Sequence, residues 1–147
     1  EKMRGIHWMA SSINILIVED SALVRKVIRH LLKKADYEVT DVSCAEDAIA
    51  EMNQRYFDLV ISDYKMPSMS GLELLKYIKR NWPATEVIIV TAYGTIEHGV
   101  KSIKLGAFDY ITKPFDNAQL LKLVERFVEK KVSGEKNAQN TTSFPHP

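Results

Sequence analysis

Two short runs, ILIV at residues 15–18 and VIIV at residues 87–90, are apolar at every position. A strand with one face in water alternates apolar with polar residues, whereas a strand covered by helices on both faces is apolar throughout, the pattern of a parallel sheet. Such runs, separated by longer segments of helical period, restrict the chain to a layered α/β fold. The spacing predicts strands over 13–18, 37–42, 59–62, 86–91 and 107–111. Ser43 with Glu46, and Ser70 with Glu73, fit the capping box that satisfies the free N–H groups of a helix start. In the last helix Leu120, Val124 and Phe127, flanked by Leu121 and Val128, form an apolar stripe. The fourth helix, over 95–105, is the weakest: its stripe is only Ile96, Val100 and Ile103, and Gly99 interrupts it at a cost of about 1 kcal/mol relative to Ala. That helix is expected to shift easily. Five alternations with right-handed crossovers give a doubly wound, three-layer α/β/α domain with a five-stranded parallel sheet.

A chain of 147 residues, 46% of them hydrophobic, supports one such domain and no more. It is placed at residues 13–132. Residues 1–12 lack a clear period and are set aside as a tag or leader, and residues 133–147 are polar and read as a linker or tail. Twenty Lys and Arg against nineteen Asp and Glu give a formal charge of +1. This is not the one-sided basic balance that direct nucleic-acid binding by the domain requires. The single cysteine, Cys44, cannot form a disulfide within the chain, and no secretory leader or membrane-spanning apolar run is visible, so the expectation is a cytoplasmic protein without membrane contact.

Open α/β sheets bind ligands beyond the carboxyl ends of their strands. The third strand raises the question directly, because LVISDYKMP (59–67) runs from apolar residues into Asp63 and then Met66-Pro67. That carboxylate could serve a turn, a metal or a reaction. At the other strand ends stand Glu19 and Asp20, Thr91, and, just past the fifth strand, Lys113. Three carboxylates together repel one another unless a cation sits among them, and oxygen ligands suit a hard divalent ion, Mg²⁺ or Mn²⁺. Beside such an ion a carboxylate can attack phosphorus and become an aspartyl phosphate, with Lys113 and Thr91 each able to hold a phosphoryl oxygen. Taken singly, Thr91 is an ordinary strand-end residue and Lys113 a solvated lysine. Their convergence with the carboxylates gives them meaning.

The segments ILIVEDS, DYKMPSMSG, VIIVTAYG and FDYITKPF, in that order and at that spacing, resemble the signature segments of the receiver domain of two-component response regulators. The resemblance covers the whole predicted domain and implies a flavodoxin-like (CheY-like) fold of strand order 2-1-3-4-5. It implies a phosphorelay phosphoprotein rather than a turnover enzyme, in which Asp63 takes a phosphoryl group from a histidine kinase or histidine phosphotransfer protein. The same residues would then catalyse its phosphorylation and autodephosphorylation. Carried over by position, Glu19, Asp20, Asp63 and the backbone carbonyl of Lys65 hold Mg²⁺, with Glu rather than the commoner Asp leading the acidic pair. Thr91 and Lys113 bind phosphoryl oxygens, with the Lys113-Pro114 peptide cis, and Tyr110 is the switch aromatic that follows Thr91. Lys65, Ala92 and Tyr93 occupy positions that tune access to the acceptor. The face made by the fourth helix, fifth strand and fifth helix would signal to a partner or to a second copy. The output, transcriptional or otherwise regulatory, would lie in a domain absent from this chain.

Two other readings stay open on the residues alone. One is an aspartyl-phosphate phosphatase, which needs a further acid and usually a cap domain. The other is a pseudo-receiver used for docking. His7, His30, His98 and His146 share no metal-ligand spacing and are assigned no role.

Overall fold

In the computed structural model, which describes residues 12–92 and 96–142 (135–142 by backbone alone), the strands and helices alternate. They are β1 (Asn14–Val18), α1 (Ala22–Lys34), β2 (Glu38–Val42), α2 (Ala45–Gln54), β3 (Leu59–Asp63), α3 (Gly71–Asn81), β4 (Glu86–Thr91), α4 (Ile96–Lys104), β5 (Asp109–Thr112) and α5 (Asn117–Thr142). The sheet is wholly parallel in the order β2-β1-β3-β4-β5. The fold is therefore the flavodoxin-like one expected.

The all-apolar strands bury both faces because successive side chains point to opposite sides. Ile15 and Ile17 of β1 join Ile28, Leu32, Leu120, Val124 and Phe127 in a core under α1 and α5. Their neighbours Leu16 and Val18 join Ala48, Met52, Leu74, Leu75 and Ile78 in a second core under α2 and α3. The edge strand β2, EVTDV, is only partly buried, as its mixed sequence dictates.

Local signals divide into those realised and those overridden. At α3 the capping box is complete, with Ser70 Oγ accepting from Glu73 N and Glu73 Oε1 accepting from Ser70 N. The box read at Ser43 and Glu46 does not form: the N-cap is Cys44, without a side-chain cap bond. Glu46 thereby falls at the second helical position, one short of the third position that a capping box uses. Helix α5 continues past Val132 to Thr142, so residues 133–142 are polar yet helical. Gly134 is too weak a stop, since a helical Gly costs about 1 kcal/mol and the first strong breaker beyond it is Pro145.

The largest difference lies at α4. Its apolar stripe faces outward, leaving Ile96, Val100 and Ile103 exposed, while the buried positions are Gly99 and Ser102. The ring of Tyr110 explains this: a Cβ added at Gly99 would lie 2.3 Å from the ring. Glycine here lets the ring pack against the helix backbone, and Ser102 keeps its hydroxyl satisfied by donating to the Gly99 carbonyl at 2.6 Å. The residue read as a weak point is a seat for Tyr110.

Candidate functional site

Strand register gathers the site. Val18 pairs with Ser62 across β1 and β3, so Glu19 and Asp20 emerge beside Asp63. Asp63 in turn pairs with Val90, next to Thr91 at the end of β4. Oxygens of Glu19, Asp20 and Asp63 all lie within 4.8 Å of one another. Glu19 is 2% exposed, while Asp20 is open to solvent.

Lys113 crosses from the end of β5 and donates from Nζ to Glu19 Oε1 at 2.9 Å and to Asp63 Oδ2 at 3.3 Å. The other Glu19 oxygen accepts from Ser21 N at 2.9 Å. Burial pushes the Glu19 carboxyl above its ordinary pKa, the nearby Asp63 charge adds to the rise, and the Lys113 and Ser21 hydrogen bonds only partly offset it. Burial pulls Lys113 down, but the Glu19 hydrogen bond and the charges of Asp63 and Glu19 outweigh it, and the ammonium is held above its ordinary value. One lysine thus serves two carboxylates of a three-carboxylate cluster, and buried Glu19 remains poorly compensated. That donor set, all oxygen and short of positive charge, fits a hard divalent cation.

Thr91 is fully buried, and its Oγ1 has no hydrogen-bond partner among the described residues. A buried hydroxyl left so costs about 1–3 kcal/mol, which a ligand oxygen arriving at the site would recover. Its carbonyl accepts from Lys113 N at 2.7 Å, so the hydroxyl and the ammonium stand on one backbone frame. The Lys113-Pro114 peptide is cis, as the resemblance implied.

The loop after Asp63 is tightly held. Tyr64 N donates to Val90 O, and Gly71 N donates to Tyr64 O, both at 2.8 Å. A Cβ at Gly71 would stand 2.2 Å from the Asp63 carbonyl oxygen, so only glycine lets α3 start this close to the strand end. Between them Met66 is buried and Lys65 exposed, and Ala92, just past β4, is exposed as well. Tyr93 lies outside the described residues. Tyr110 is half-buried against α4.

Sequence reading missed two parts of this neighbourhood. Arg25 donates to the Glu19 carbonyl at 2.8 Å and to Asp41 Oδ2 at 3.1 Å, bracing the acidic turn from α1. His98, assigned no role, stacks on Tyr64 with ring centroids 4.0 Å apart and planes 7° from parallel. An arginine one helical turn past the acidic pair is a usable signal for the first. Nothing local links Tyr64 to His98, because only the fold brings them together.

A model of the response regulator receiver domain matches residues 15–125. Among curated relatives, the DNA-binding transcriptional regulator NtrC of Proteus hauseri is 36% identical over 115 residues, covering 78% of this chain and 24% of that protein. The response regulator protein FleR of Pseudomonas aeruginosa is 38% identical over 112 residues, with 76% and 24% covered. The chain thus spans about a quarter of the length of these relatives. Among solved structures, the receiver domain of NtrX from Brucella abortus superposes with a TM-score of 0.76 at 33% identity, covering 78% of this chain and 98% of that one. A response regulator receiver domain protein from Clostridium thermocellum gives 0.77 at 30% identity, with 81% and 96% covered. Fold, the acidic edge and these matches agree: the chain belongs to the response regulator receiver domain family.

Proposed function

We propose that Asp63 is the phosphoacceptor of this receiver domain and that a histidine kinase or histidine phosphotransfer protein is the donor. An Asp63 carboxylate oxygen forms the new O–P bond while the P–N bond of the donor phosphohistidine breaks. The electron pair leaves on the imidazole nitrogen, which takes up a proton. Glu19, Asp20, Asp63 and the Lys65 carbonyl would hold Mg²⁺ or Mn²⁺, which neutralises the phosphoryl oxygens and so lowers the repulsion Asp63 meets in attacking phosphorus. Lys113 supplies a further positive charge at Asp63, and Thr91 offers a hydroxyl that has no partner among the described residues to a phosphoryl oxygen. Exposed Lys65 and Ala92, with Tyr93, would set how readily water reaches the acyl phosphate, bulky Tyr93 slowing its hydrolysis.

The observation that carries this reading is the Lys113 ammonium bridging Glu19 and Asp63, residues from three strand ends drawn to one point. A turn or a cap needs no such convergence.

The signal would leave the site through Thr91. As its hydroxyl moves to the phosphoryl group, Tyr110 gains room to turn inward, and α4, whose apolar stripe already faces solvent, is repositioned. The face of α4, β5 and α5 would then change its affinity for a partner or for a second copy of the chain. The domain acts as a cytoplasmic signalling phosphoacceptor rather than a turnover enzyme, without binding nucleic acid or membrane itself. Among the described residues no helix is long and apolar enough to cross a membrane.

Incubation with acetyl phosphate and Mg²⁺, followed by intact-protein mass spectrometry, tests the assignment. One phosphoryl group is expected on the wild-type chain and none on Asp63→Asn. Equal uptake by both proteins would remove Asp63 from the role.

A further inference from the structure

The stack between Tyr64 and His98 joins the residue beside the proposed acceptor to the first turn of α4. Its two halves are unequally anchored. Tyr64 is fixed by hydrogen bonds at both its N–H and its carbonyl, to Val90 and Gly71. Helix α4 buries only Gly99 and Ser102, has three large apolar residues in solvent, and seats Gly99 against the Tyr110 ring. A flat contact at 4.0 Å between a rigid loop and a loosely seated helix constrains the helix, not the loop.

We propose that His98 is a positioning residue: its ring, stacked on Tyr64, clamps α4 in the resting position and so opposes the helix movement that follows phosphorylation. The inference rests on Asp63 as acceptor and adds a second aromatic hold, on the loop side of α4, to the one made by Tyr110 on the strand side. Linkage fixes the sign. A contact present in the resting state and lost in the phosphorylated one lowers the affinity of the site for a phosphoryl group by the factor with which it favours rest. For an aromatic pair that factor is roughly threefold to tenfold.

The test uses the full chain, beryllofluoride with Mg²⁺ as the phosphoryl mimic, and two variants. His98→Ala is expected to bind beryllofluoride roughly threefold to tenfold more tightly, and its α4 amides to exchange hydrogen faster by a similar factor in the ligand-free protein. Faster exchange cannot come from lost helix propensity, because Ala is the better helix former. His98→Phe, which keeps a flat ring for the stack, is expected to return both readouts close to wild type. Unchanged or weaker binding by His98→Ala would overturn the clamp, as would the same gain in His98→Phe. Should the wild-type chain bind no beryllofluoride, the acceptor assignment fails. The exchange rates then decide the clamp alone, with equal rates in wild type and His98→Ala ruling it out.

Discussion

At the amino-terminal edge of the sheet Asp58 and Glu86 sit among Lys79, Lys130 and Lys131, whereas at the carboxyl edge Glu19, Asp20 and Asp63 gather around Lys113. Asp58 is 6% exposed, yet one oxygen accepts from Asn14 N at 2.8 Å and the other lies 3.0 Å from Lys131 Nζ. Glu86 receives Lys79 at 3.2 Å and Lys130 at 3.0 Å. The pKa shifts follow this division. Burial raises Glu86, but the Lys130 and Lys79 contacts overcome it and hold the group below the ordinary carboxylate value. At Glu19 burial wins and the group is held above that value. The same sheet therefore pairs Asp58 and Glu86 with lysines at one end and leaves the other short of positive charge and, among the described residues, of one hydrogen bond at Thr91. At the second, unmet electrostatic demand is what a cation and a phosphoryl group would satisfy.

The sharpest way to break this contrast is to remove one carboxylate from each end. Asp58→Ala strips a buried acceptor from Asn14 N and an ion-pair partner from Lys131, and is expected to cost about 3 kcal/mol in urea unfolding. Phosphate uptake by the folded fraction should be unchanged. Asp63→Asn relieves repulsion among three carboxylates while keeping an acceptor for Lys113, and is expected to leave stability within about 0.5 kcal/mol of wild type or raise it. Similar losses from the two variants would show that both ends are structural.

A smaller effect of opposite sign is expected at Thr91. Replacing it with Val keeps the branched shape and removes a buried hydroxyl that lacks a partner among the described residues, so the ligand-free domain should gain about 1 kcal/mol and melt a few degrees higher. The gain should be matched by a loss of signal: beryllofluoride would still reach Asp63, but chemical-shift changes across Ile96–Lys104 would shrink. A destabilised Thr91→Val would mean that the hydroxyl is satisfied at rest and that the site end is less strained than its geometry indicates.

The contrast also marks what the sequence could and could not convey. The two-sided core was legible in the all-apolar strands and the set Glu19, Asp20, Asp63, Thr91 and Lys113 in the residue types at strand ends, whereas strand order came only with the resemblance to receiver domains. Features that depend on side chains meeting across the fold were not. The stripe Ile96, Val100, Ile103 has the period of a buried face, yet Tyr110 occupies the space beneath α4 and admits only Gly99 there, so the stripe turns outward. Ser43 and Glu46 have capping-box spacing, but the helix starts one residue too late to use it. His98 has no ligand-like spacing, and its partner Tyr64 lies on another element.

Acid offers the finest test of the comparison, because the two ends answer it with opposite signs. Glu86 has a folded-state pKa below 4.5, so its contribution is fully present above that value and is lost as pH falls through the depressed one. Glu19 has a raised folded-state pKa, so its contribution is complete below the ordinary value and is lost as pH rises through the raised one. Glu86→Gln isolates the first. Lys130 is largely exposed and Lys79 partly so, and the variant should therefore cost only about 0.5 kcal/mol at neutral pH. At an acid pH below the depressed folded-state value both proteins carry a neutral side chain at this position, and the difference should shrink toward zero. Urea unfolding of both proteins at the two pH values measures it. A penalty that persists undiminished in acid would mean that Glu86 stabilises through packing rather than charge, and that the amino-terminal edge is not held by its ion pairs.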